Sequence, residues 1–237
     1  MENIICAYNK TSDAGSDTSS FSVFMDKCNL CCPYCMNGNI INRKTNIDPE
    51  ILNNLKRDVD KFKPKMIFIS GGEPTERPFD LLNIIRLFRS WGCKIGLSTN
   101  GINTEILKMF VSEYCNIDYV SMDLKGDIDI YNNLGNSEYF MNVISSWLIL
   151  RNEKKLREDF NYEIRTTLFP PFITLSVLEN ISKFFTSDEK WVLQQFRVVN
   201  NMPGDVAKHT IPYSENVIKK LIDFVVEKVP KVSVRYI

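Results

Sequence analysis

Short apolar runs alternate with amphipathic ones along most of the 237 residues, and this alternation restricts the possible fold more than any other property of the chain. Strand-like runs fall at Phe21–Met25, Lys65–Ser70, Cys93–Ser98, Ile117–Leu124, Tyr162–Leu168 and Trp191–Phe196, with Val232–Tyr236 as a short terminal candidate. Helical patterns lie between them, over Pro49–Phe62, Pro78–Trp91, Thr104–Tyr114, Glu138–Glu153, Ser176–Phe185 and Glu215–Lys228. In the first of these, Asp48 reads as the cap with Pro49 at the first helical position, and Ile51, Leu55, Val59 and Phe62 share a face. Such alternation demands a parallel sheet with right-handed crossovers. Six units give either an open doubly wound sheet or an incomplete barrel, and in both the ligand sites collect at the C-terminal ends of the strands. No Pro/Gly-rich linker interrupts the pattern. The expectation is therefore one domain over residues 21–237, preceded by an N-terminal arm or loop over residues 1–20 that contains the polar stretch Asn9–Ser20.

A formal net charge of zero gives no electrostatic footprint for nucleic acid or for an acidic membrane surface. No apolar run approaches the roughly 18–20 residues needed to span a bilayer. The first residues lack a basic segment followed by an apolar one, so no secretory signal is expected. Seven cysteines, an odd number without a framework, suit a reducing cytoplasm.

Three of those cysteines, Cys28, Cys32 and Cys35, stand in the run CNLCCPYC just after the first strand. A structural zinc site needs a fourth ligand, and the chain has a single histidine, His209, with Cys6, Cys93 and Cys115 scattered singly. A closed iron–sulfur cluster needs four thiolates. Three thiolates leave one iron open, and an open corner reads as a place for an exogenous ligand, by the logic that leaves a catalytic zinc one free position. Cys31 offers an alternative Cys-x2-Cys register with Cys28, and spacing alone does not choose between Cys31 and Cys32.

The remaining chemistry-bearing residues also follow strands. Gly71-Gly72-Glu73-Pro74 comes after the second, Thr99-Asn100-Gly101 after the third, Asp123-Leu124-Lys125 after the fourth, and Arg165 falls late in the fifth. Alone, Gly-Gly-Glu-Pro is a turn and Asp123 with Lys125 an exposed ion pair of little worth. Taken in order, with Tyr34 just before the last cysteine, the set resembles the radical S-adenosylmethionine (SAM) superfamily over about residues 20–200. The resemblance implies a partial (β/α)6 barrel and a [4Fe–4S] cluster on Cys28, Cys32 and Cys35. It implies that SAM chelates the fourth iron and that one electron cleaves it to methionine and a 5′-deoxyadenosyl radical, which takes a hydrogen atom from the substrate. Tyr34, Gly71, Gly72, Glu73, Thr99, Asn100, Asp123, Lys125 and Arg165 are the implied cofactor-binding residues. Gly71 and Gly72 would let backbone approach the methionine moiety, Glu73 would accept from a cationic group, and Thr99 and Asn100 would bond polar groups of the cofactor.

Asp123-x-Lys125 and CNLCCPYCMN are most similar to the glycyl-radical-enzyme activases, and Glu163–Thr167 with Gln194-Gln195-Phe196 to those of anaerobic ribonucleotide reductase. This implies a large glycyl radical enzyme as partner, flavodoxin or ferredoxin as electron donor, and a monovalent cation near Asp123. The chain departs from the activase pattern in having Met36 where histidine usually follows the third cysteine, Ser98 in place of an aspartate, no N-terminal Asp-Tyr-Pro-Gly and no room for an inserted ferredoxin domain. Those departures keep a second reading open, the same chemistry on a peptide, nucleoside or other small molecule. A third, from another class, is a non-enzymatic metal-binding module.

Overall fold

The computed structural model describes residues 5–11, 20–41, 50–113, 115, 117–200 and 202–236. Asp48 and Pro49, the expected cap and first turn of the first long helix, lie outside the described residues. One eight-stranded sheet runs in chain order: β1 (Ile5–Thr11), β2 (Ser20–Met25), β3 (Met66–Gly71), β4 (Lys94–Thr99), β5 (Tyr119–Asp123), β6 (Asn161–Leu168), β7 (Trp191–Gln195) and β8 (Val232–Arg235). Strands β2 to β8 are parallel throughout, and β1 pairs antiparallel with β2. The six units expected from the alternation are present, and the short C-terminal run extends the parallel sheet as β8. Among the described residues no pairing joins the outer strands β1 and β8, which makes this the incomplete barrel rather than a closed one.

The N-terminal segment differs from the expected arm or loop. Ile5–Thr11 is a strand whose partners run from Met25 back to Ser20. Its residues carry little strand periodicity, so the pairing edge of β2 decides their conformation, as expected where sheet context outweighs local preference.

Helices α2 (Ile51–Phe62), α3 (Pro78–Ser90), α6 (Glu138–Leu156), α7 (Leu175–Ser182) and α9 (Glu215–Val225) cover the outside. Helices α3, α7 and α9 bury the face their periodicity marks, and α2 does so except for Phe62, which is exposed, whereas α6 lacks a marked apolar face and buries Ser146 and Glu153 along with Phe140, Val143, Trp147 and Leu150. Helix α2 buries Ile51, Leu55 and Val59, each contributing roughly 1.5–3 kcal/mol. It stops where Lys63 turns left-handed and donates its backbone N–H to Val59 O. The expected helix from Thr104 divides into α4 (Thr104–Lys108) and a wider turn over Met109–Glu113. Three further short helices have no strong signal in the chain: α1 (Gly38–Ile41), α5 (Ile128–Asn133) and α8 (Asp205–His209). His209, expected in a loop, ends α8 and is exposed.

Charge inside the barrel forms a floor. Glu163 on β6 is fully buried and accepts from Tyr119 Oη (3.1 Å) and Ser121 Oγ (3.2 Å) of β5. It pairs with Lys190 Nζ at 2.9 Å and with an Arg235 terminal nitrogen at 3.0 Å, which ties β8 back to β6 across β7. Burial works to raise this carboxyl, and Arg235, Arg165 and Lys190 together hold it below its ordinary value. Arg165 lies two residues further along the same face, about 6.6 Å closer to the strand ends. Glu163→Ala leaves the partly exposed Arg235 and Lys190 without their counter-charge and the hydroxyls of Tyr119 and Ser121 without their acceptor. The expected cost, discounted for that exposure, is about 2–4 kcal/mol, read by calorimetry as a fall in Tm of roughly 4–16 °C. A fall within 2 °C would show that the pair network contributes little.

Candidate functional site

Beyond this floor, at the C-terminal strand ends, a cavity of about 370 Å³ opens. Cys28, Cys32, Cys35 and Tyr34 line it, together with Gly71, Gly72, Glu73, Thr99, Asn100, Asp123, Lys125 and Arg165. Twelve residues spread over 138 positions thus share one wall, because each stands at or just beyond a strand end of the same sheet. Cys31, by contrast, is exposed and does not line the cavity.

The cysteine loop is held from several sides. Cys35 N donates to Cys32 O (3.1 Å), closing a turn over Pro33 and Tyr34. The Tyr34 ring is buried against Phe169 and Phe172, at 4.9 and 5.8 Å between centroids. Asn37 Nδ2 donates to Gly71 O (2.7 Å), and Arg77 grips Asp26 through Nε at 2.6 Å, two residues before Cys28. From far along the chain, Gly204 N donates to Pro33 O at 3.0 Å. Burial pushes the Cys28 thiol up to about 12 and the Cys32 thiol up to about 11, and raises Cys35 as well. Thiols so raised keep their protons unless a metal replaces them, since metal ligation requires the thiolate. Among the described residues no three side chains from His, Cys, Asp and Glu converge tightly enough to hold a single ion. Three sulfurs that line one cavity suit a cluster, in which each thiolate takes its own iron. The residues present therefore fit the group that the resemblance implies.

Glycine is required at Gly71 and Gly72 by contacts within the chain itself. A Cβ at Gly71 (φ +111°) would stand 2.2 Å from Met25 O, and one at Gly72 would stand 1.7 Å from Lys27 O. The close approach is of the last residue of β2 to Gly71 and of the two residues that follow β2 to Gly72, and main-chain bonds run the same way: Gly72 N donates to Met25 O (2.8 Å) and Glu73 N to Lys27 O (2.7 Å). The two glycines thereby seat the start of the cysteine loop.

Glu73 is buried and takes four hydrogen bonds from the chain itself. Oε1 accepts from Thr75 N (3.1 Å), Thr75 Oγ1 (2.6 Å) and Thr99 Oγ1 (2.8 Å), and Oε2 from Asn100 N (2.6 Å). Burial raises its carboxyl against the pull of these donors. The Asn100 side chain donates to Asn29 Oδ1 (2.6 Å) and accepts from Ile102 N (3.0 Å). Glu73, Thr99 and Asn100 are thus a brace between the ends of β3 and β4, with Oε2 retaining room for one more donor. Asn29 and Asn37 belong to this brace, and nothing in the chain distinguishes them from other loop asparagines.

Asp123 and Lys125 are not the exposed pair their spacing alone suggests. Asp123 Oδ2 accepts from Lys125 Nζ at 2.9 Å and Oδ1 from Arg165 Nε at 2.8 Å. Burial works to raise the carboxyl, and Arg165 and Lys125 hold it below the ordinary range. Burial likewise opposes the Lys125 charge, and Asp123 outweighs it, holding the ammonium well above its usual value. Both carboxylate oxygens already face cations, so a monovalent cation beside Asp123 would meet two positive charges. The Lys125 ammonium also lies 6.0 Å from the Tyr34 ring centroid, joining this triad to the cysteine loop.

The radical SAM superfamily model matches residues 22–169, which takes in the C-terminal ends of β2 to β6 and all twelve of the lining residues named above. A Methanocaldococcus jannaschii protein named “Putative glycyl-radical enzyme activating enzyme” is 26% identical over 92% of this chain and 90% of its own length. A second protein of that organism with the same name is 32% identical over 68% of this chain, which spans 60% of that relative. Among solved structures, a radical SAM methyltransferase of Sphaerobacter thermophilus shares the fold, with a TM-score of 0.69 at 13% identity, over 97% of this chain and 69% of that one. With the family pattern spread over well over half the chain and its motif residues gathered on one cavity, the chain belongs to the radical SAM superfamily of enzymes.

Proposed function

We propose that the protein holds a [4Fe–4S] cluster on Cys28, Cys32 and Cys35, binds SAM against it, and uses the resulting hydrogen abstraction to install a glycyl radical on a partner enzyme such as anaerobic ribonucleotide reductase. The single observation that carries the reading is the convergence of the three cysteines with Glu73, Asp123, Lys125 and Arg165 on one cavity. The names of the two M. jannaschii relatives support the choice of substrate. When bound, the cluster and SAM supply the one-electron cleavage that yields the abstracting radical.

The chain's own residues position and shield that chemistry. Glu73 Oε2 has capacity for one donor, which suits the ammonium of a methionine moiety. Arg165 and Lys125, which line the same cavity, offer a carboxylate two cationic partners. The Tyr34, Phe169 and Phe172 rings close the back of the loop and exclude water from it. The two pairs of charges leave no need for a monovalent cation at Asp123, and none is assigned. A single domain over residues 21–237, with β1 added to its edge, and a cytoplasmic protein reduced by flavodoxin or ferredoxin complete the reading. No described helix is long and apolar enough to cross a membrane.

The test is anaerobic reconstitution with iron and sulfide, followed by reduction with dithionite in the presence of SAM. Release of methionine and 5′-deoxyadenosine is expected, with a glycyl doublet by electron paramagnetic resonance when the partner enzyme is added. A reconstituted protein that leaves SAM intact ends the enzymatic reading. Cleavage without any radical on a glycyl radical enzyme moves the substrate to the peptide, nucleoside or small-molecule class that the Met36 and Ser98 departures favour.

A further inference from the structure

The cavity has one wall that the cofactor residues do not use. Gln194, Gln195, Phe196 and Arg197, four consecutive residues at the end of β7, all line it. Phe196 is buried, its ring 5.0 Å from that of Phe169. The other three are polar, and among the described residues none of their side chains has a hydrogen-bond or ion-pair partner in the chain. The contrast with the cofactor side is plain, because Glu73, Thr99, Asn100, Asp123, Lys125 and Arg165 are all bonded to one another or to the backbone. Polar groups that the fold leaves unused at the rim of a site are available to a ligand.

Their chemistry narrows the ligand. A primary amide donates and accepts at once, which matches the N–H and C=O of a peptide group, and a guanidinium pairs best with a carboxylate. A nucleobase edge also matches an amide, but base recognition in such sites leans on a free aromatic face. Tyr34 and Phe196, which line the cavity, are both packed against Phe169, and Phe24, the third aromatic residue of the lining, stands on β2, five strands along the sheet from β7. Size points the same way. About 370 Å³ lies near the lower end of the roughly 300–1,000 Å³ of pockets that hold one small ligand. Once cluster and SAM are inside, no enclosed chamber is left for a second small molecule, so a substrate must reach in from the rim. The segment that continues from Arg197 exposes Val198, Val206 and Ile211, the last 85% accessible, an apolar surface suited to a protein.

Gln194 pairs in register with Thr167, two residues beyond Arg165 on the cavity face, whereas Gln195 pairs with Leu168 on the opposite face of the sheet. We propose that Gln194 and Arg197 form a peptide-reading edge. The Gln194 amide bonds the backbone of an extended segment of a protein substrate, and Arg197 pairs with an acidic side chain flanking the residue that enters the cavity. The inference rests on the radical-enzyme function above and adds the chemistry of its substrate.

Two end-blocked, fluorescein-labelled seven-residue peptides with a central glycine test it, one with Asp and one with Lys beside the glycine. Each is titrated by anisotropy into the anaerobically reconstituted protein with SAM present. The Asp peptide is expected to bind about tenfold tighter than the Lys peptide at low ionic strength. Arg197 is exposed, so R197E changes charge without touching the core, and it is expected to reverse the preference. Q194A is expected to weaken both peptides by about fivefold. Failure to bind either peptide, equal binding of both, or an Asp preference that survives R197E overturns the proposal. Tight binding of GTP that Q194A abolishes also overturns it, by giving the edge to a base. SAM cleavage by the same wild-type preparation is followed in parallel. If cleavage fails, the proposed function fails with it, and if cleavage proceeds while the peptides are ignored, only the edge is lost.

Discussion

Cys32→Ala is expected to remove the iron–sulfur chromophore from the anaerobically reconstituted protein, while Cys31→Ala leaves it in place. The two residues are neighbours, yet the fold treats them oppositely. Cys32 is 8% exposed and lines the cavity with Cys28 and Cys35, whereas Cys31 is exposed and faces away from it. The turn closed by Cys35 N on Cys32 O places Cys32 and Cys35 on the same side of the loop. Loss of one of three ligands leaves a cluster with two anchors, and iron should fall from about four per chain to near zero. SAM cleavage should drop by about 10³-fold or more, as expected when the group that carries the chemistry is absent. Iron and sulfide quantitation with visible absorbance reads the first effect, and 5′-deoxyadenosine formation the second. Equal iron loss in both variants would show that the register is wrong.

Gly72→Ala should be the most damaging substitution of a single methyl group. The added Cβ would sit 1.7 Å from Lys27 O, 2.5 Å from Lys27 C and 3.1 Å from Asp26 O. All three are backbone atoms, so no side-chain rotation relieves the contact. Lys27 would have to move, and it already adopts a left-handed backbone (φ 60°) immediately before Cys28. Its displacement breaks the bond from Glu73 N and unseats the loop that carries the thiols. We expect a loss above about 4 kcal/mol and a Tm lower by roughly 8–16 °C, with poor iron uptake by whatever remains folded. Gly92→Ala is the control. It also has a positive φ (77°), but its Cβ would meet nothing within 4 Å. Only the conformational penalty of about 1–2 kcal/mol applies there. Thermal melts of the two apo-proteins compare them directly, and a Gly72→Ala protein that melts with the Gly92→Ala protein would refute the close-approach argument.

Legibility followed the range of the interactions involved. Buried parallel strands such as Ile67–Ile69 announce themselves as apolar runs, and amphipathic helices such as α2 and α9 by their period, because both signals are local. Strand β1 was not legible, since its hydrogen-bonding partner rather than its own residues makes it a strand. The same division runs through the site. The cysteine spacing and the strand-end positions of Glu73, Asp123 and Lys125 are local facts. That Glu73 braces Thr99 and Asn100, or that Arg165 shares Asp123 with Lys125, depends on residues 26 to 42 positions apart.

By itself, then, the order of residues determined an alternating parallel sheet, the end of that sheet at which chemistry gathers, and the family of that chemistry. Those properties follow from periodicity and from short motifs whose spacing the backbone must respect. Only the tertiary structure decided that Cys32 and not Cys31 lines the cavity, that Gly71 and Gly72 admit the backbone at and just beyond the end of β2, and that Asp123 and Lys125 join Arg165 in a half-buried triad. Each of these is a contact across strands, set when the sheet closes around its own strand ends, and a linear pattern carries no record of which distant group will arrive there.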